Sequence, residues 1–269
     1  MPVLVTDQGT IHYQTYGRGR PVLLLHGWLG SWTLWRRTIE ELGKDFRTYA
    51  LDFWGFGDSG DQGADFSVDN FVSLVNQFMD RLGIVKAPLV GHSMGGTVSL
   101  ASAIRQPEKV VKVIVIGSPI HGSSLSPLLK IAGRRNWIGL AENAPFLFDT
   151  FMSGLKVSLR GYSYLLSKDG KTLSQMFQND LSKLTVGPFF ESIATLRQTD
   201  LRPRMREVKL PVLGIYGKND LIVHPNQSQV LKEYAPQSQI AWFENSGHFP
   251  MLDEPERFYK SVRDFLLNG

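Results

Sequence analysis

Apolar positions along the chain fall into two recurring patterns. The stretches "PVLLLHG" (21–27), "FRTYALD" (46–52), "APLVGHS" (87–93), "VVKVIVIGS" (110–118), "PVLGIYG" (211–217) and "SQIAWFE" (238–244) are short apolar runs, most of them with little alternation. Such runs suit strands covered on both faces, as in a parallel sheet. "IHYQTYG" (11–17) alternates instead and predicts an edge strand behind the turn signal "DQG". Between the runs, "LWRRTIEELGKD", "SVDNFVSLVNQFMDRLG", "GGTVSLASAIRQPEK", "NQSQVLKEYAP" and "EPERFYKSVRDFLLN" carry the helical period. Ser67 is placed to cap the second of these helices and Gly83 to end it. Strand and helix in alternation predict an α/β fold with a doubly wound, mostly parallel sheet.

The alternation stops between Ile120 and Met205. That stretch shows only amphipathic helical pieces: "SPLLKIAGRR", "APFLFDTFMSG", "YSYLLS", "TLSQMFQNDLSKL" and "GPFFESIATLRQTDL". Its length and its content of Phe, Leu and Met predict a helical cap laid over one edge of the sheet. The cap, residues 120–205, is expected after the sixth strand, the one ending near Gly117, and the core domain is expected from residues 1–119 and 206–269. No internal repeat or low-complexity segment interrupts this plan.

Composition narrows the chemistry. The 269 residues, 42% hydrophobic, supply enough apolar material for one packed core. With no cysteine, thiolate nucleophiles, disulfides and thiolate metal sites are excluded. Twenty-nine basic residues against 25 acidic ones leave a net charge of +4, spread without a dense Lys/Arg block, which speaks against nucleic-acid binding. The N-terminal "MPVLVTDQGTIHYQ" lacks the basic and apolar regions of a secretory leader. No apolar run approaches the roughly 20 residues of a membrane span. A soluble, cytoplasmic protein is expected.

Within "APLVGHSMGGTVSL", Ser93 lies between Gly91 and Gly95, after a strand pattern and before a helix pattern. In a strand-to-helix elbow of the type G-x-S-x-G, residues two places before and after the serine crowd each other, so both must be small. The turn lifts the hydroxyl clear of the sheet and leaves the Met94 N–H at a helix start, facing a developing oxyanion. A serine nucleophile needs a base, and the base needs an orienting carboxylate. For this elbow the chain order is Ser, acid, His. His248 in "ENSGHFPMLDEP" and Asp220 in "VLGIYGKNDLIVHP" fill those places, Asp220 just beyond a strand end, where ligands gather in open α/β sheets. The alternative acid slot, "IGSPIHG", offers no carboxylate. The second oxyanion donor is expected from the backbone N–H of Trp28 in "LLLHGWLGS".

With these residues in place the chain resembles the α/β-hydrolase superfamily over essentially its whole length, in its serine-nucleophile, esterase-like branch with a helical cap. The matching motifs are "HGW" (26–28), "DFWGFGDS" (52–59), "GHSMGG" (91–96), and "GKND" with "SGHFPMLDEP". The second is similar to the D-x-x-G-x-G-x-S loop, which the resemblance makes a structural element beneath the active site. The resemblance also implies that a serine at the elbow excludes the epoxide hydrolase and haloalkane dehalogenase chemistries, which use aspartate.

The expected reaction is acyl transfer from a carboxylic ester with a hydrophobic, small-to-medium group, a small-molecule substrate. No cofactor is needed, and no histidine pair shows metal-ligand spacing with a carboxylate. Competing readings on the same machinery are a meta-cleavage C–C hydrolase, a perhydrolase, and a thioesterase using cap arginines such as Arg134 and Arg135 on an acidic acyl carrier. A ligand receptor that kept the fold is the non-enzyme alternative. Phe148, Phe151 and Met152 are expected near one another on a helix face, as pocket wall or as packing. His121, at the cap entry, is a further pocket candidate. Among the other histidines, His26 is expected to hold its loop by hydrogen bonding, His92 to pack beneath the elbow, His224 to begin a surface helix, and His12 to be exposed. The pattern leaves the oligomeric state open.

Overall fold

The computed structural model describes residues 2–268 apart from 64 and 135, and the side chains within that range apart from 136 and 142. Eight strands form one sheet: β1 (Val3–Thr6), β2 (Gly9–Tyr16), β3 (Pro21–Leu25), β4 (Arg47–Leu51), β5 (Ala87–His92), β6 (Val110–Ile116), β7 (Val212–Gly217) and β8 (Gln239–Phe243). Their order is β1-β2-β4-β3-β5-β6-β7-β8. The β1–β2 and β2–β4 pairs are antiparallel and all the others parallel. The doubly wound α/β class read from the sequence is therefore the observed one. Leu23, Leu24, Leu89, Val90, Val113 and Ile114 are fully buried, which is why these central strands read as unbroken apolar runs.

The helices α1 (Arg36–Leu42), α2 (Val68–Arg81) and α3 (Met94–Arg105) pack on the sheet before the helical segment begins. On α2, Phe71, Leu74, Val75 and Phe78 turn one helical stripe into the core. Ser67 Oγ accepts from the Asn70 N–H at 3.2 Å, and Gly83, at φ +67°, closes the other end. After β7 come α10 (Gln227–Tyr234), α11 (Pro250–Asp253) and α12 (Pro255–Leu267). The buried Lys112 ammonium donates to the carbonyls of Phe265, Leu266 and Asn268, completing the last turn of α12.

Between β6 and β7 the described residues form α4 (Pro127–Ala132), α5 (Asn136–Asn143), α6 (Pro145–Leu166), α7 (Gly170–Leu181), α8 (Val186–Gln198) and α9 (Arg202–Met205), with no extended strand among them. Two of the pieces read separately, around Phe148 and around Tyr164, are one helix of 22 residues. Gly154 and Gly161 lie within it without positive φ and with open space around them, so they do not end it.

Candidate active site

Ser93 sits at the turn from β5 into α3 with φ +51° and ψ −118°, a positive-φ conformation that a side-chain-bearing residue keeps only under constraint. Small neighbours supply the room. A Cβ on Gly91 would run into the Gly95 carbonyl, and one on Gly95 into the Leu25 carbonyl of β3. Pressed this closely to the sheet, the turn presents the Ser93 hydroxyl above the carboxyl ends of the strands.

Asp220 follows β7 and His248 follows β8. The His248 Nδ1–H donates to Asp220 Oδ2 at 2.8 Å, and Asp220 Oδ1 accepts from the N–H groups of Ile222 and Val223 at 2.8 and 3.0 Å. Three donors thus fix a carboxylate that is only 9% exposed. Gly117, at φ +53°, lies beneath the pair, and a Cβ there would stand 3.1 Å from both Asp220 Oδ2 and His248 Nδ1. With Nδ1 engaged, Nε2 is the imidazole nitrogen left for proton transfer. The structure records no direct hydrogen bond between Ser93 Oγ and His248, although both line one cavity. Such contacts are often long in unliganded enzymes and tighten around substrate.

His92 lies beneath the elbow. Its Nε2–H donates to the His248 carbonyl at 2.8 Å, and the two rings meet edge-on with centroids 4.6 Å apart. Burial, reinforced by the neighbouring His248, holds the His92 pKa well below its ordinary value, so it stays neutral and anchors the His248 backbone. The residue preceding the serine therefore positions the loop of the candidate base.

The loop after β3 carries Trp28. Among the described residues, no acceptor is recorded for the backbone N–H of Trp28 or of Met94, as an oxyanion site requires. Met94 opens α3 with its side chain fully buried. His26 accepts the Phe53 N–H on Nε2 at 3.0 Å and donates from Nδ1 to the Gly27 carbonyl, and burial lowers its pKa, as this neutral role needs. Leu29 takes φ +59°. The Trp28 indole N–H donates to the Phe189 carbonyl of α8 at 3.0 Å, and Ser31 Oγ donates to Asp180 Oδ1 of α7 at 2.9 Å. Two helices of the inserted segment thus grip the loop that holds a candidate oxyanion donor. Nothing local in the sequence signals these pairings.

The "DFWGFGDS" loop braces the same region. Asp52 Oδ1 accepts the Trp32 N–H at 2.6 Å, and Oδ2 accepts from Asp58 N–H at 3.0 Å and His12 Nδ1 at 2.8 Å. His12 is therefore buried, not exposed as its strand pattern suggested, because Asp52 of this loop and the Trp32 ring pack against its side chain. His12, Asp52 and Asp58 are the described group whose ligand atoms lie close enough to share a cation. The Asp52 oxygens are already taken by these donors, and Asp58 is paired with Lys183, so the group serves as a brace.

Trp28, Ser93 and His248 line a cavity of about 200 Å³ whose other walls are almost all apolar, including Leu125, Phe151, Leu155 and Phe177. Of the cap residues read from sequence, Phe151 reaches this cavity, whereas Phe148 and Met152 are buried at 8% and 5% exposure and do not line it. Phe148 packs instead against the rings of Phe189 and Phe190. His121 is not brought to the cavity either. Its Nδ1 meets Ser123 Oγ and its Nε2 meets the Gln227 amide, beside a surface depression on the far side of Asp220.

Asp180 has a measurable consequence. Burial, outweighing hydrogen bonds from Ser31 and Asn179, pushes its pKa up to about 6, and Oδ2 has no partner among the described residues. An acid that holds its proton more tightly in the folded chain favours folding at low pH; its contribution falls as pH rises from about 4 to about 6 and then stays level. Asp180→Asn keeps the acceptor for Ser31 and removes the buried charge. Urea unfolding should find the variant about 2 kcal/mol more stable than the parent at pH 8 and nearly equal at pH 4. A variant less stable at pH 8 would show that the charge is compensated in the fold.

A model of the alpha/beta hydrolase fold matches residues 20–255. The chain belongs to the alpha/beta hydrolase fold family. It is 30% identical over 262 residues to the pimeloyl-[acyl-carrier protein] methyl ester esterase of Vibrio campbellii, covering 95% of this chain and 98% of that protein. Solved structures share the fold. A hydrolase from Pseudomonas aeruginosa superimposes with a TM-score of 0.85 at 19% identity, covering 99% of this chain and 98% of that one. An esterase from Exiguobacterium antarcticum gives 0.81 at 23% identity, covering 98% of each chain. The carboxylic ester hydrolase class read from the sequence stands beside these relatives. No described helix is long and apolar enough to cross a membrane.

Proposed function

We propose that the protein is a serine hydrolase that cleaves carboxylic esters of apolar, small-to-medium acyl groups through an acyl-enzyme. The observation that carries this reading is Ser93 on its constrained turn, sharing an apolar cavity with a His248 oriented by Asp220. Ser93 Oγ attacks the ester carbonyl while His248 Nε2 takes its proton. The N–H groups of Trp28 and Met94 hold the oxyanion of the tetrahedral intermediate. His248 returns the proton to the leaving alcohol, and water repeats the sequence on the acyl-enzyme. Asp220 stays ionised throughout and steadies the imidazolium. Residues 120–205 act as the cap that closes the cavity and selects the acyl group.

The curated relatives favour a second, finer reading, in which the ester is carried on an acyl-carrier protein. Arg134 is exposed at the end of α4, where an acidic carrier could approach; Arg135 lies outside the described residues. A cytoplasmic location belongs to the same proposal. Titration with a fluorophosphonate is the direct test: one equivalent should bind, at Ser93, and hydrolysis of p-nitrophenyl esters should stop in proportion. Labelling without ester turnover would favour the receptor reading. Comparing a free methyl ester with the same ester on a carrier then separates the two substrate readings.

A further inference from the structure

We propose that the open apolar groove on the outer side of α4, α5 and α6 continues the Ser93 cavity and binds the distal part of the substrate's aliphatic acyl chain; this rests on the esterase reading above. The groove encloses about 330 Å³, and its walls include Ile131, Trp137, Leu140 and Leu147, closed by Phe190 of α8. Every described lining side chain is apolar but for the Trp137 indole N–H, which is spent on the Ile131 carbonyl at 3.0 Å. Among the described lining side chains none is placed to recognise a charge or a hydroxyl. A flexible hydrocarbon chain is the ligand such a wall accepts.

Continuity with the Ser93 cavity identifies the chain. Leu128, Ala132 and Phe151 line both spaces, so the two chambers share one wall. Phe151 is 47% exposed, and its ring rests against Phe189 and Phe190 at centroid distances of 5.7 and 6.4 Å. It stands as the gate in that wall. An acyl group whose carbonyl lies at Ser93 fills the inner chamber first, and a longer chain passes Phe151 into the groove. Leu128, Leu140 and Leu147 are 68%, 48% and 43% exposed there, an apolar surface that an aliphatic chain would cover.

The test uses Leu140→Asp and Leu147→Asp, read as the ratio of kcat/KM for p-nitrophenyl decanoate to that for the acetate. A charge in the groove should lower this ratio at least tenfold in each variant, mainly through KM. Phe151→Ala should raise it, by opening the gate. Ser93-dependent acetate turnover reports folding; should either aspartate variant lose it, the asparagine counterpart replaces that variant. Ratios within twofold of the parent in both groove variants would overturn the proposal. So would a parent that turns over acetate but no decanoate. Unchanged ratios with a shift from dimer to monomer would assign the groove to a second copy of the chain, and unchanged ratios with lost binding to phosphatidylcholine vesicles would assign it to a lipid surface. A parent that hydrolyses no ester fails the esterase reading itself, a different result from any of these.

Discussion

Replacing Ser93 with alanine should lower kcat for p-nitrophenyl butyrate by about 10⁵-fold or more while leaving the melting temperature unchanged. The size follows from what one atom does in this geometry. Without Oγ no acyl-enzyme can form, and what remains is oxyanion stabilisation and binding acting on water, which elsewhere leaves only a small residual rate. Alanine keeps the Cβ, so the backbone at φ +51° gains no relief and the Gly91–Gly95 crossing is undisturbed. The chain has no cysteine to substitute as nucleophile, and the nearby Ser118 is fully buried with its hydroxyl on the Ile116 carbonyl. Single-turnover assays with enzyme in excess of substrate would register a residual rate. An alanine variant keeping a tenth of the activity would sink the mechanism.

How much of this was legible in the chain depends on whether a feature is local. Strands β3, β5, β6 and β7 announce themselves because both faces are largely buried, so nearly every position selects an apolar residue, Lys112 of β6 and His92 of β5 being exceptions. The elbow is legible because its crowding is imposed within five residues. By contrast, β1 escaped notice: it has four residues, lies at the sheet edge, and exposes Val3 and Val5 at 57% and 67%. The burial of His12 is equally non-local, because its ring meets Asp52 and Trp32, which stand far along the chain. The Ser31–Asp180 bond joins residues 149 apart and the Trp28–Phe189 bond residues 161 apart, distances over which no periodicity carries information. Helix phase explains the cap residues. With α6 running unbroken from Pro145 to Leu166, Phe148 and Met152, four apart, share the buried stripe and Phe151 falls at its edge. The sequence indicated that they cluster, but tertiary packing decided which one reaches the cavity.

Asp220→Asn should preserve the fold and lower kcat by roughly 10⁴-fold, because it changes which imidazole nitrogen carries the proton. In the parent, Asp220 Oδ2 can only accept, so His248 Nδ1 must donate and the Nε2 lone pair is left free to act as base. Oδ1 is held by the Ile222 and Val223 N–H groups, so an asparagine would keep its carbonyl oxygen there and turn its NH₂ toward His248. That amide donates to Nδ1 and drives the proton onto Nε2, where it blocks the general base. The shape of the pair is nearly unchanged, and thermal unfolding should show it. Rival acids are engaged elsewhere: Asp253 accepts from Ser167, Lys168 and Gly247, and Glu244 is exposed in an ion pair with Lys218. Neither can take over without abandoning those partners. The loss should therefore fall on kcat, with KM nearly constant, and it should shrink at high pH as hydroxide supplies the missing base. A near-parental rate at neutral pH would mean that another carboxylate orients His248, and the same assay on Asp253→Asn and Glu244→Gln would identify it.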